Sequence, residues 1–131
     1  AQHEQGAIFM AEGYAKAKGV PGLVIVTSGP GVGNIVTGLQ NAYYDGVGLI
    51  AISGQVATNL MRPKGAPLRQ LGLQETPAAE IARHITKYAV TVEGPEHLRY
   101  SLETAIIEAT TGRPGPCLID IPTDIQKMEM P

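Results

Sequence analysis

Four short segments carry the side chains best suited to chemistry. The first is His3-Glu4-Gln5-Gly6-Ala7, where a carboxylate stands at the start of a helical apolar pattern. A charge there gains about 0.3–1 kcal/mol from the helix dipole, and the same group could serve as an acid or base. His3 reads as a capping or surface residue rather than a ligand. The second segment, Ser28-Gly29-Pro30-Gly31-Val32-Gly33-Asn34, is a glycine-rich strand-to-helix turn of the sort that can cradle phosphate. Two features argue against phosphate. The G-x-G-x-x-G frame has Asn34 in its third place and Pro30 without an N–H, and Gln55 stands where a ribose-binding acid would close the next strand. The turn suits a flat ring better. Third is Gln74, in Leu73-Gln74-Glu75-Thr76, which is either a solvated loop glutamine or a functional one. The fourth is Gly112-Arg113-Pro114-Gly115-Pro116, where Arg113 at a helix end meets the C-terminal dipole favourably.

Other candidates are weaker. Asp120 and Asp124 lie near a strand end, but two carboxylates without further oxygen ligands do not make a metal site, and no metal is assigned to this chain. Arg83, His84 and Lys87 read as a solvated face. Cys117 stands alone in the apolar run Cys117-Leu118-Ile119 and reads as a small buried hydrophobe.

The elements that must position these residues follow from hydrophobic period. Ala7, Met10, Ala11, Tyr14 and Ala15 fall at helical spacing between Gln5 and Lys18, with Gly19 as C-cap. Gly22–Thr27 is apolar without alternation, the pattern of a central parallel strand covered on both faces. A small-residue helix runs from about Val32 to Tyr44, and a second such strand, Leu49–Ser53, ends at Gly54-Gln55. From Ala57 to Glu75, Pro63, Gly65, Pro67 and Gly72 interrupt any period, predicting a long irregular loop that is either functional or mobile. Pro77–Arg83 reads as a short helix and Tyr88–Val92 as a strand. Pro95–Thr111 is a helix with Leu98, Leu102, Ala105, Ile106 and Ala109 inward, and Cys117–Ile121 a last strand closed by Pro122. The sum is an α/β domain, a four-stranded parallel sheet with helices on both faces. Such sheets bind ligands beyond the carboxyl ends of their strands.

Composition sets limits. The chain has 131 residues, enough for one domain that buries roughly two thirds of its unfolded surface. Its hydrophobic fraction of 44% and charged fraction of 17% are those of a globular domain. Net charge is −2, and the ten basic residues form no stripe, which argues against nucleic acid. No export signal or terminal anchor is visible, so a cytoplasmic setting is expected, or an organelle after removal of a transit segment. The chain starts at Ala1 and enters a helical pattern almost at once, so a fragment of a larger chain is expected.

Taken in order, His3-Glu4-Gln5-Gly6, Ser28-Gly29-Pro30-Gly31, Gly54-Gln55-Val56 and Gly112-Arg113-Pro114-Gly115-Pro116 before Ile119-Asp120-Ile121-Pro122 resemble the N-terminal, pyrimidine-binding domain of thiamine diphosphate enzymes of the acetolactate synthase kind. The resemblance covers the whole chain. It implies that Glu4 contacts N1′ of the aminopyrimidine, that Pro30 and Asn34 lie beside that ring, and that Gln74 sits near the reacting centre. It also implies that Arg113 touches FAD in the flavin-containing members. The implied activity is decarboxylation of a 2-oxo acid with transfer of the activated aldehyde to an acceptor, most simply acetolactate synthesis within branched-chain amino acid biosynthesis. Related carboligases and decarboxylases, or a Rossmann-type nucleotide-binding module, are the alternatives. No Gly-Asp-Gly motif is present, so the magnesium ion and the diphosphate would be held by another domain, contributed by a second subunit of a dimer or tetramer. The isolated domain would then be inactive. The family places a strand and helix before the glutamate motif, so an exposed sheet edge is expected here. The chain departs from the family in having Leu73 rather than an aromatic residue before Gln74, and an extra stretch around Arg62-Pro63-Lys64-Gly65-Ala66-Pro67, both of which bear on substrate choice.

Overall fold

A computed structural model describes residues 1–129. In chain order the regular elements are α1 (Glu4–Lys18), β1 (Gly22–Val26), α2 (Pro30–Asp45), β2 (Leu49–Gln55), α3 (Ala78–Ala82), β3 (Tyr88–Thr91), α4 (Pro95–Thr110) and β4 (Pro116–Pro122). Two 3-10 turns, Thr58–Leu60 and Ile125–Lys127, complete them. The strands form one all-parallel sheet in the order β1-β2-β4-β3. Helices cover both faces, as the continuous apolar runs of β2 and β4 require. On one side α1, α2 and α3 pack through Ile8, Ile35, Leu39 and Ala82 onto Val24, Leu49, Ala51 and Leu118. On the other, α4 packs through Ala105 and Ala109 onto Ile50, Cys117 and Ile119.

β1 is not the central strand its sequence predicts. It lies at the sheet edge, and its burial alternates: Val24 and Val26 face the core while Leu23 and Ile25 are 58% and 69% exposed. The reason is coverage, since α4 packs on β2, β3 and β4 rather than on β1. An apolar groove of about 650 Å³ therefore runs along β1 and α1, past Met10, Tyr14, Leu23 and Ile25.

Two helical faces depart from expectation in part, although Ala11, Ala15, Ala105 and Ala109 bury as their spacing predicts. In α1 the buried residues are Ile8, Ala11, Glu12 and Ala15, while Met10 and Tyr14 point outward. Glu12 can sit inside because Lys16 pairs with it at 2.6 Å and the Asn41 amide donates to both its oxygens, at 2.9 and 3.0 Å. In α4 Ile106 is half exposed, and Ser101, Ala105 and Ala109 are the residues that bury.

α1 and α2 decide where the first candidate residues go. Gly38 lets them meet closely: a Cβ at that position would lie 2.2 Å from Ile8 Cγ2. One turn toward the N-terminus on each helix stand Glu4 and Asn34, and one turn toward the C-terminus stand Glu12 and Asn41. The two helices therefore run side by side in the same direction, and their N-termini come together.

Candidate active site

Glu4 is the first residue of α1, capped by His3, whose Nδ1 accepts the Gln5 backbone N–H at 3.1 Å. Its carboxylate is half-buried and accepts a hydrogen bond at Oε2 from the Asn34 amide at 2.9 Å. Glu4's own backbone N–H, then the Asn34 amide, hold the carboxyl below its ordinary value against the opposing effect of partial burial, with a smaller contribution from His3. The carboxylate is thus ionised in the open chain. Before it lies a cleft of about 280 Å³, walled by Ala7, Ile25, Val26 and Thr27.

Pro30 opens α2, after Gly29 at φ 64° and ψ −117°. The backbone N–H groups of Val32 and Gly33 both turn back to the Gly29 carbonyl, at 3.1 and 3.3 Å. With Pro30 lacking an N–H, little donor capacity is left for a phosphate. A half-buried carboxylate on the rim reinforces the point, because an anion would be repelled. What the turn and Glu4 present together is a slot of mixed lining, Gln2, His3 and Thr27 beside Ala7, Ile25 and Val26, with one acidic group at its edge.

Gln74 is brought to the same turn. A Cβ at Gly29 would lie 2.8 Å from Gln74 Cβ and 2.9 Å from its carbonyl oxygen, so the loop and the turn are in direct contact. Gln74 holds φ 64°, the left-handed region that a residue with a Cβ seldom adopts. Glu4, Pro30, Asn34 and Gln74 therefore gather at the carboxyl ends of the strands, where a parallel sheet binds its ligands.

Arg113 does not join them. It precedes β4 at the opposite end of the sheet, where its guanidinium donates to the Tyr44 carbonyl at the close of α2. Tyr44 is ten residues beyond Asn34, about 15 Å along the helix at about 1.5 Å per residue. A shallow cleft near Arg113 is lined by Tyr43, Tyr44, Lys87 and Pro114. Both cations there are committed to helix-end carbonyls, Lys87 to those of Glu108 and Thr111.

One polar cluster escaped the sequence reading. Asp120 is fully buried, and accepts from Ser53 Oγ at 2.6 Å, Gln55 Nε2 at 2.9 Å and Thr91 Oγ1 at 3.2 Å. Burial pushes its carboxyl up in spite of these three donors. Gln55 Nε2 also donates to the Thr76 carbonyl at 2.6 Å, tying the irregular loop to the sheet two residues after Gln74. An acid inside an otherwise apolar strand, Leu118-Ile119-Asp120-Ile121, was the signal that donors must face it. Asp124 is likewise occupied, by the Thr58 hydroxyl and backbone N–H. Among the described residues no group of three or more His, Cys, Asp or Glu is placed to hold a metal.

Residues 1–87 match the family model described as thiamine pyrophosphate enzyme, N-terminal TPP binding domain. The chain belongs to this family. Similar curated proteins include the chloroplastic acetolactate synthase of Arabidopsis thaliana, 47% identical over 129 residues, covering 96% of this chain and 18% of that protein. The mitochondrial acetolactate synthase catalytic subunit of Saccharomyces cerevisiae is 44% identical over 124 residues, covering 95% of this chain and 17% of that protein. A probable chloroplastic acetolactate synthase 2 of rice (Oryza sativa subsp. japonica) is 43% identical over 129 residues, covering 96% and 18%. The TPP-binding domain thus spans less than a fifth of the length of these relatives. Their names place them in chloroplasts and mitochondria, which lends the cytoplasmic expectation no support. No helix among the described residues is long and apolar enough to cross a membrane.

Proposed function

We propose that this domain is the ring-activating half of the active site in an acetolactate synthase-like enzyme, one that decarboxylates pyruvate and joins the resulting two-carbon unit to a second 2-oxo acid. The observation that carries the proposal is the Glu4–Asn34 pair at the joined N-termini of α1 and α2, in a chain of the thiamine pyrophosphate enzyme family.

The residues fit the cofactor. Glu4 Oε2 is held by Asn34, and among the described residues Oε1 has no side-chain donor, so the carboxylate has one oxygen fixed and one to meet a ring nitrogen. Bound thiamine diphosphate supplies a C2 carbon that, once deprotonated, adds to a keto carbon and accepts the electrons released with carbon dioxide. Glu4 holds a proton at the pyrimidine N1′, which the deprotonation requires. Covering the cleft with a flat ring removes water from Glu4 and raises its pKa from the depressed value of the open chain. A group that moves toward neutrality as the ring arrives is suited to sharing one proton with it. Asn34 fixes the direction of the carboxylate, Pro30 shapes the turn beside the ring, and Gln74 reaches the reacting centre from the loop side.

Anchoring of the diphosphate through magnesium is assigned to another domain, supplied by a second subunit of a dimer or larger assembly. The Arg113 guanidinium spends one of its five N–H donors on the Tyr44 carbonyl at the end of α2, and no step is routed through a flavin there. The test is calorimetry on the full-length protein. Thiamine diphosphate is expected to bind only when magnesium is present; preference for NAD would overturn the proposal. A second reading, with a different acceptor, draws on the exposed Leu73 and the 62–67 stretch. Acetolactate formed from pyruvate alone separates the two readings in favour of the first.

A further inference from the structure

Gln74 is the one non-glycine residue with positive φ among those described, at 64°. Such a conformation persists only where the surroundings over-determine it, and it clusters at working sites. Gly29 presses on one side of it. On the other, the neighbouring Glu75 carboxylate gathers the loop: Oε1 accepts the Arg62 backbone N–H at 2.7 Å and Oε2 the Leu71 backbone N–H at 2.6 Å. Glu75's own N–H closes back on the Gly72 carbonyl at 3.2 Å. The Gln55 amide, itself held by Asp120, fixes Thr76 on the far side.

We propose that Glu75 is a positioning residue for Gln74: by clamping the two ends of segment 62–71 it holds Gln74 against Gly29 in its left-handed conformation. The proposal rests on the role given to Gln74 above. A carboxylate is the chemistry this position needs, because two backbone donors converge on one side chain and both of its oxygens must accept. Glutamine at 75 would turn an NH₂ toward one of those donors. The clamp is charged at neutral pH. Burial pushes the Glu75 carboxyl up, but the N–H groups of Leu71, Arg62 and Gly72 and the Arg62 guanidinium outweigh it, leaving the net shift downward.

The test is a double-mutant cycle in the full-length enzyme, supplied with thiamine diphosphate, magnesium and pyruvate, together with amide hydrogen exchange. Glu75→Gln should speed exchange at Arg62 and Leu71 while β2 and β4 stay protected. It should lower kcat by about tenfold or more in the wild-type background and by no more than about twofold in a Gln74→Ala background, because residues acting through one another are not additive. Cofactor affinity should change less than about threefold throughout. Equal losses of kcat in both backgrounds, or unchanged exchange at Arg62 and Leu71, overturn the proposal. If Gln74→Ala alone leaves kcat intact, the role of Gln74 fails first, and the exchange data still decide whether Glu75 clamps the loop. Should Glu75→Gln not fold, Glu75→Asp, one methylene too short to reach both amides, serves in its place with the same expectations.

Discussion

Replacing Gly38 by alanine tests whether the α1–α2 crossing sets the geometry of Glu4. A Cβ there would stand 2.2 Å from Ile8 Cγ2, 3.0 Å from Cγ1 and 3.1 Å from Cβ, where ordinary contact begins near 3.4 Å. Ile8 is fully buried and its own Cβ, which no side-chain rotation moves, would lie 3.1 Å away, so a rotamer change alone does not restore ordinary contact. The helices must separate by roughly 1 Å. Overpacking of this kind costs about 1–3 kcal/mol, and the intrinsic gain of alanine over glycine in a helix returns about 1 kcal/mol. A net loss of about 2 kcal/mol is expected at the severe end. The same separation stretches the 2.9 Å Asn34–Glu4 bond toward roughly 4 Å, past hydrogen-bonding distance. Gly13→Ala is the control: it lies in α1, exposed, where an added methyl would meet nothing within 4 Å, and should stabilise by about 0.5–1 kcal/mol. Denaturant unfolding of the full-length protein gives the stabilities, and calorimetry the affinity for thiamine diphosphate with magnesium. If Gly38→Ala is as stable as wild type and binds cofactor equally well, the helix crossing does not position the carboxylate.

Three further outcomes follow from the packing. Gly29→Ala meets Gln74 at 2.8 Å and must hold φ 64°, so it should cost about 2–5 kcal/mol in unfolding experiments; a loss under about 1 kcal/mol would mean that the loop and turn are not in contact. Cys117 has its thiol pushed up to about 11 by burial, so iodoacetamide should leave the native protein unlabelled at pH 8 and label it only after unfolding; rapid native labelling would contradict its place in the core. Asp120 has its carboxyl raised above 3.8, meaning the folded state binds its proton more tightly than the unfolded state. Its contribution is then greatest at acid pH and is lost as pH rises through the folded value. The stability of wild type relative to Asp120→Asn should therefore fall between about pH 4 and neutrality, and a difference that stays flat with pH would show the carboxyl is not buried as described.

Much of this arrangement was legible in the residues. The strand runs around Leu49–Gln55 and Pro116–Pro122 are apolar on both faces, and both are interior strands. Gly19 after Lys18 marks the end of α1, where it adopts φ 70°. What misleads is the face of each element. Leu23 and Ile25 read as buried because an apolar run implies coverage, yet whether a helix lies over them is decided by the path of α4. Met10 and Tyr14 give way to Ile8 and Glu12 because a charge with two partners can occupy a helix interface that composition alone denies it. Of the candidate residues, Glu4, Pro30, Asn34 and Gln74 converge although they are scattered from residue 4 to residue 74, and the resemblance of the ordered motifs was the signal that found them. Glu75 escapes notice because its work is done through backbone groups, which leave no mark in side-chain spacing, and the Gln55–Asp120 pair because its members lie 65 residues apart on separate strands.

The central claim is that Glu4 activates the pyrimidine ring, and the exchange of the C2 hydrogen of bound thiamine diphosphate for deuterium reads it most directly. In the full-length enzyme, Glu4→Gln should retain measurable cofactor binding while slowing that exchange by about 100-fold or more, the scale of a lost acid–base group. Exchange at the wild-type rate in the variant would contradict the account.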